Sequence, residues 1–375
     1  MNIQIEGTYE NQYSLSIVNK HIALSLAKHS DAEIKIYAST YHEKYMNLQS
    51  DIEEDIKPLV EKKLNNIDIT IRNIYPPYTT AMKGYHKIFG PYGWEESKFP
   101  KEYVEWFNTK LTMIFTMSDY VKEVLENNGV VIPIVTTGLV VEKISKIDSE
   151  PIPYSLPSGF KLLHISSCFP RKGADILLEV FEKLELGDIS LIIKTFQNPH
   201  NEICKQIEKE DYKIEKIYEE NVCLYVKNKK KILLINKDIS EAQIKYLYEN
   251  SDLLVAPSLG EGFGLPMAEA MLLKLPVLTT AYGGQVDFCT DETSWLIDYD
   301  LVESSTHLNL ENSFWAKPRK CSLEKQIIKI YNLSKDEIEK KLIVAQENIL
   351  KNYSSLEVAS KIINAIESFN SNKKF

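Results

Sequence analysis

What this chain lacks narrows it first. Its opening residues, MNIQIEGTYENQ, hold no basic segment followed by a long apolar run, so no secretory leader is expected. Nowhere do about 18 apolar residues follow one another, so no membrane-spanning helix is expected either. The five cysteines (Cys168, Cys204, Cys223, Cys289 and Cys321) are odd in number, scattered and without a CxxC pair. That pattern predicts reduced thiols in a cytoplasm and no structural zinc site. Excess positive charge is also missing: the net charge is -9 with histidine neutral. A general nucleic-acid binder would be basic, and strong attraction to anionic lipid needs the same sign of charge. There is no internal repeat and no low-complexity region. No GxGxxG follows the first expected strand, which removes the fingerprint of a nicotinamide dehydrogenase.

What remains is a soluble-type composition, 44% hydrophobic and 26% charged over 375 residues, a length that suits two domains. Short apolar runs alternate with amphipathic stretches. Strands are expected at residues 2–5, 33–37, 67–71, 85–89, 113–116 and 132–135. Apolar spacing predicts a helix over 13–27, Pro100 opens another, and Ser118 caps a third. A polar stretch over 142–158, with Pro151, Pro153 and Pro157, reads as a linker. The alternation then restarts. Strands are expected at 161–166, 189–193, 222–226, 232–235, 252–256 and 277–279. Helices are expected at 174–184, from Ser240 to near Tyr248, and at 266–273, and the chain after Cys321 is mostly helical. Such β/α alternation implies parallel sheets covered by helices. The Lys-rich turn at 227–231 reads as a solvated hairpin tip.

The chemistry concentrates in residues 257–287, PSLGEGFGLPMAEAMLLKLPVLTTAYGGQVD. Gly260, Gly262 and Gly264 allow a sharp turn and close approach of the backbone to a ligand. Pro266 suits the first position of the helix that follows, and that helix start is a natural site for a pyrophosphate. Glu261 in the loop and Glu269 one turn into the helix can face one ligand, and a carboxylate accepts well from sugar hydroxyls. Upstream, KLLHISSCFPRKGADILL at 161–178 places Arg171 and Lys172 at another helix start. Positive charge there opposes the helix dipole, so an anionic partner is expected.

The loop phrase EGFGLP-x-x-E-A resembles the signature of retaining glycosyltransferase family 4. That resemblance implies the GT-B fold: two Rossmann-like α/β domains facing each other across a cleft. It divides the chain into an acceptor-binding domain at 1–150, a nucleotide-sugar-binding domain at 151–355, and a helix at 356–375 returning to the first domain. Its site implications are specific. Glu261 contacts the donor sugar and Glu269 the ribose, while Lys172 neutralises the leaving diphosphate. Gly262, Phe263, Gly264 and Leu265 complete the donor loop, and Lys194 resembles a strand-end lysine near the nucleotide. The family's Gly-Arg after the strand is absent, with Ser166, Ser167 and Cys168 in its place, so Arg171 is the candidate second cation.

NSDLLVAPS at 250–258 and YGGQVDF at 282–288 resemble flanking segments of the same site. WAKP at 315–318 resembles a structural corner, with Trp315 in the core. In the first half, GTYENQYS at 7–14 resembles a cleft-lining loop, with Gly7 and Tyr13 as candidates. YGWEESKFPKEYVEWFN at 92–108 offers Glu95 or its neighbour Glu96, either facing the cleft or solvated. His86 and His164 read as structural histidines. No Asp-x-Asp motif of the metal-dependent glycosyltransferases stands out, so no metal or other cofactor is expected.

The implied activity is transfer of a hexose, mannose among the candidates, from a GDP- or UDP-linked donor to a glycan or lipid-linked glycan. The implied setting is bacterial surface polysaccharide or lipopolysaccharide synthesis in the cytoplasm, with peripheral membrane contact left open. The alternative is a catalytically weak or inactive nucleotide-sugar-binding module of a larger glycan-assembling enzyme.

Overall fold

The computed structural model describes residues 1–9, 14–38 and 54–372. Residues 10–13 of the loop at 7–14, Tyr13 among them, therefore lie outside the described residues. The chain forms two compact units. The first comprises Met1–Val140, Ser304–Ser313 and Lys351–Phe375, and the second Val141–Glu303 and Phe314–Leu350.

In the first unit the order is β1 (Asn2–Gly7), α1 (Ser14–His29), β2 (Glu33–Ala38), α2 (Lys57–Glu61), β3 (Ile69–Asn73), β4 (His86–Tyr92), α3 (Lys101–Lys110), β5 (Met113–Thr116), α4 (Asp119–Asn127) and β6 (Ile134–Thr136). The six strands form one parallel sheet, ordered β2-β1-β3-β4-β5-β6. Ile3, Ile5, Ile34, Ile36, Ile69, Ile71, Phe89, Ile114 and Phe115 are all buried, as strands covered on both faces require. Ser118 caps α4 by accepting from the Val121 amide. Pro100 sits at the N-cap of α3, one place ahead of the first helical turn.

Inside this sheet Glu6 and Arg72 lie opposite each other on β1 and β3. Both are buried, and Arg72 Nε donates to Glu6 Oε2 at 2.7 Å. Arg72 also donates to the carbonyls of Tyr78 and Thr80, and Gln4 donates to the other Glu6 oxygen. A buried pair is tolerated only when its remaining hydrogen-bonding capacity is filled in this way.

In the second unit the order is α5 (Lys143–Lys146), β7 (Phe160–Ile165), α6 (Ala174–Lys183), β8 (Ile189–Thr195), α7 (Ile203–Lys209), β9 (Lys213–Glu219), β10 (Val222–Lys227), β11 (Lys230–Asn236), α8 (Glu241–Glu249), β12 (Leu253–Ala256), α9 (Leu265–Leu272), β13 (Val277–Thr280), β14 (Trp295–Ile297), β15 (Tyr299–Glu303), β16 (Phe314–Pro318), α10 (Lys320–Tyr331) and α11 (Lys335–Tyr353). Its eight-stranded sheet runs β14-β13-β12-β7-β8-β11-β10-β9. Most of it is parallel, with an antiparallel β11-β10-β9 edge. β15 and β16 pair apart from it.

The first boundary falls at Val140 rather than at 150, and two further features differ from the sequence reading. The Lys-rich turn is a solvated tip only at Asn228 and Lys229; the lysines on either side of them are tied back. Lys227 binds the Glu182 carboxylate and the Glu210 carbonyl, and Lys230 donates to the Phe181 and Glu182 carbonyls. These lysines close the end of α6, where backbone carbonyls lack helical partners. The second difference is Ser304–Ser313, the connection between β15 and β16. The sequence reading runs the second domain unbroken through it, but this segment belongs to the first unit. Glu96 holds it there: Ser304, Thr306 and Ser313 all donate their hydroxyls to its buried carboxylate, at 2.6, 2.7 and 2.9 Å. Leu308 and Leu310 pack on the aromatic core of Tyr92, Trp94, Phe99 and Phe107.

The last helix, α12 (Ser355–Asn372), is also part of the first unit and packs on α1. His29 meets Ser355 at 3.0 Å, and His86 meets the Phe369 ring edge-on. Among the described residues no helix is long and apolar enough to cross a membrane.

Glu96→Gln should loosen Ser304–Ser313. Hydrogen bonds to a charged acceptor are worth about 1.5–3 kcal/mol each, and their weakening should lower stability by about 1–3 kcal/mol. Limited proteolysis should cut the variant within 304–313 faster than the parent. Equal cutting would show that Leu308 and Leu310 alone hold the segment.

Candidate active site

β7 and β12 are hydrogen-bonded neighbours, with Leu162 beside Leu253 and Leu163 beside Leu254. From β7 the chain passes through α6 to β8 on one side, and from β12 through α9 to β13 on the other. The loops leaving the two carboxyl ends therefore part, and the crevice where they part is where open α/β sheets bind ligands. Lys172 lies on the loop after β7, and Glu261 on the loop after β12.

The two loops are tied by their backbones. The Leu259 amide donates to the Arg171 carbonyl at 2.7 Å. Gly173 has φ +67°, and a Cβ there would stand 2.1 Å from the Pro257 carbonyl oxygen. Only glycine allows this approach. Across it, Lys172 Nζ reaches both oxygens of Glu261, at 2.6 and 2.7 Å. Ser258 Oγ donates to Glu261 Oε1 at 2.7 Å. Arg171 donates to the Gly260 carbonyl and stands 3.9 Å from Glu261. Glu261 is 7% exposed. Burial pushes its carboxyl up, but Lys172 and Arg171 outweigh burial and hold it below the usual carboxylate range.

Beyond Glu261 the loop enters α9 through Gly264, which has φ +93°. Pro266 occupies the second position of α9 rather than its first. The backbone of Glu261 also anchors the YGGQVDF segment, because its carbonyl accepts from the Gly284 amide at 2.8 Å. Gln285 Nε2 closes that loop on the Thr280 and Tyr282 carbonyls. The ring of Phe263 packs on Phe288. Gly260, Gly262 and Leu265 complete a loop that runs from the ion pair to the positive end of the α9 dipole.

Glu269, one turn into α9, has a different environment. Its only hydrogen-bond donor among the described residues is Tyr248, from α8, at 2.9 Å to Oε2. Burial pushes the Glu269 carboxyl up to about 7, with Glu241 adding to the rise and the Tyr248 hydroxyl opposing it. The two acids of the motif thus differ in charge behaviour although they share one loop and helix.

His164 is a structural histidine, as read from sequence. Its Nδ1 donates to the Val255 carbonyl, so Nε2 accepts from the Ser166 hydroxyl. Burial pulls it down to about 4. Ser166 therefore orders the loop backbone, accepting from the Cys168 amide at 3.0 Å. Lys194 lies in β8, 7% exposed, and burial pulls its ammonium down against Asp238. No hydrogen bond joins it to Glu261 among the described residues.

In the first unit Gly7 ends β1 beside Asn73 of β3, the strand pair where that sheet's connections also diverge. A Cβ at Gly7 would stand 2.2 Å from Asn19 Nδ2, which donates to the Asn73 carbonyl. Glu95 is half-buried near Tyr92. Its neighbour Glu96 is committed to the three hydroxyls of Ser304–Ser313 and is not a solvated turn acid. Sequence reading also passed over Asp298-Tyr299-Asp300, which has Asp-x-Asp spacing. Arg319 forks onto Asp300, with Nε 3.0 Å from each oxygen. Among the described residues no group of three or more His, Cys, Asp or Glu side chains is placed to hold a metal ion. Ser258 and Tyr248 were missed as well. Ser258 stands in the quoted motif, but Tyr248 carries no local signal.

Residues 156–307 match the family model of glycosyl transferases group 1. No curated protein sequence matches the chain. Several solved structures are similar over nearly the whole length. A glycosyltransferase from Rickettsia africae is 17% identical, covering 99% of each chain, with a TM-score of 0.68. The sucrose-phosphate synthase of Thermosynechococcus elongatus is 12% identical over 99% of this chain and 100% of that one, with a TM-score of 0.65. The Anabaena protein HepE, in complex with UDP and glucose, is 13% identical over 98% and 100%, with a TM-score of 0.61. The chain is thus an α/β protein of the GT-B fold, built from two Rossmann-like domains.

A carboxyl held up near 7 in the folded state costs stability when ionised. The native state binds the extra proton between the ordinary value of 4.5 and about 7. That contribution is fully present below 4.5 and is lost as pH rises through 7. Glu269→Gln should therefore stabilise the protein at pH 8 by up to about 3 kcal/mol and by little near pH 4.5. Thermal melts of parent and variant across this range test it. A difference that does not change with pH would contradict the assigned environment.

Proposed function

We propose that this chain is a retaining glycosyltransferase that uses a nucleotide diphosphate sugar. The observation that carries the reading is the Lys172–Glu261 pair set across the β7/β12 crevice at the start of α9. The match of residues 156–307 to glycosyl transferases group 1 supports it. The donor diphosphate lies at the α9 N-terminus beside Lys172, with Arg171 as second cation. Glu261 accepts from hydroxyls of the sugar, and Glu269 accepts from the ribose. Gly262, Phe263, Gly264 and Leu265 form the donor loop, with Lys194 nearer the nucleotide.

In the reaction the bond between the anomeric carbon and the phosphate oxygen breaks. Negative charge grows on the diphosphate, where Lys172, Arg171 and the helix start stabilise it. The acceptor hydroxyl attacks the anomeric carbon from the face the diphosphate leaves, and its proton passes to the departing phosphate oxygen. The configuration is retained and no metal is needed. The acceptor, a glycan or lipid-linked glycan, is taken by the first domain at the carboxyl ends of β1 and β3, near Gly7. HepE is seen with UDP and glucose, which favours a UDP-hexose over a GDP-linked donor such as GDP-mannose. The setting is bacterial surface polysaccharide synthesis in the cytoplasm, with peripheral contact at the membrane.

One observation favours a second reading. Ser166, Ser167 and Cys168 replace the family's Gly-Arg, so no cation stands there, and the neutral Ser166 hydroxyl is bound to His164. A chain with one cation fewer could be a nucleotide-sugar-binding module with weak catalysis.

A panel of UDP- and GDP-hexoses, scored for release of nucleoside diphosphate with and without added glycan, separates the readings. The enzyme releases diphosphate faster when acceptor is present, whereas the module binds donor without turnover. Lys172→Ala should slow turnover by roughly a hundredfold or more, equivalent to about 2.7–4 kcal/mol of charge stabilisation. An unchanged kcat would assign the leaving-group charge elsewhere.

A further inference from the structure

Tyr248 is 1% exposed and lies in the last turn of α8, immediately before the crevice strand β12. α8 is fixed at its start by reciprocal bonds: Ser240 Oγ accepts from the Gln243 amide at 3.1 Å, and the Gln243 side chain accepts from the Ser240 amide at 3.2 Å. The neighbouring Leu247 is buried as well. The phenolic hydroxyl therefore has little freedom, and it donates to Glu269 Oε2 at 2.9 Å. The other oxygen, Oε1, has no donor among the described residues, and Glu269 keeps part of its surface open.

We infer that Tyr248 is a positioning residue for nucleotide binding: it holds one oxygen of Glu269 so that the other is presented to the ribose diol of a nucleoside diphosphate. This rests on the reading of Glu269 as the ribose carboxylate. The physical argument is about charge as well as aim. An ionised carboxylate offers both oxygens as strong acceptors, whereas protonation turns one of them into a donor and weakens the bonds the other accepts. Burial disfavours that form here, and a donated hydrogen bond favours it. The charged or titratable groups that face Glu269 are Tyr248 and Glu241, both on α8, and Glu241 opposes ionisation. Tyr248 is thus the group that keeps Glu269 available near neutral pH. Without its hydroxyl Glu269 protonates at higher pH and becomes a weaker acceptor.

The test is calorimetric titration of the full chain with UDP and with GDP, from pH 6 to pH 9. It uses the parent, Tyr248→Phe, Glu269→Gln and the double variant, each checked by a thermal melt. Ionisation of the nucleotide phosphates is common to all four, so Glu269→Gln serves as the reference curve. Relative to it, the affinity of the parent should fall as pH drops through about 7. In Tyr248→Phe the midpoint of that fall should move up by about one unit, the equivalent of one hydrogen bond to a charged group. Binding at pH 7 should weaken severalfold and recover by pH 9. The double variant should bind no more weakly than Glu269→Gln alone. If Tyr248→Phe weakens binding equally at every pH, or adds its full effect to Glu269→Gln, Tyr248 is only packing and the inference fails. If Glu269→Gln binds both nucleotides as tightly as the parent does, the ribose assignment itself is wrong.

Discussion

A half-buried lysine held on a buried glutamate across two loops constrains everything else in the second unit. Desolvating both charges costs several kcal/mol per ion, and their attraction repays this only with short contacts and filled hydrogen bonds. Here Lys172 spans both oxygens of Glu261, Ser258 fills one more lone pair, and Arg171 adds charge nearby. Such contacts require the loops after β7 and β12 to approach at backbone distance, and this in turn requires glycine at 173. The pair also depends on the strand order, because loops that did not part at β7 and β12 would leave no crevice for it to face.

The same segment carries two carboxyl groups with opposite behaviour. Glu261 is buried with two cations and stays ionised, while Glu269 is desolvated with one neutral donor and titrates near neutrality. This separation suits two tasks. A permanently charged acid beside Lys172 holds the ammonium in place without competing for its proton. An acid poised near 7 is a conditional acceptor, and its availability depends on the residue behind it. Environment, more than residue type, sets what each acid can do.

Much of this was legible in sequence where the signal is local. The alternation of apolar runs located nearly all the parallel strands, and the glycines, prolines and acids of residues 257–287 marked the loop and α9. Lys172 and Glu261 were singled out by family resemblance, each with a separate role; that they pair, 89 positions apart, is visible only in the fold. What stayed hidden depends on tertiary contact. Glu95 and Glu96 are indistinguishable as neighbours, yet only Glu96 meets the hydroxyls of a segment over 200 positions away. Lys227 and Lys230 look solvated until α6 ends beside them. β9, KIEKIYE, is an edge strand whose charges mask its pattern, as edge strands favour. Tyr248 looks like any apolar helix residue, because the acid it serves lies on another helix.

The central claim is that the crevice at β7 and β12 is a diphosphate site organised by Lys172. A crystal structure of the chain grown with UDP-hexose or GDP-hexose, whichever it binds, tests this most directly. The account predicts phosphate oxygens within hydrogen-bond distance of Lys172 Nζ at the start of α9, and ribose hydroxyls on Glu269. A nucleotide seated elsewhere, with Lys172 still bound only to Glu261 at 2.6 and 2.7 Å, would contradict it.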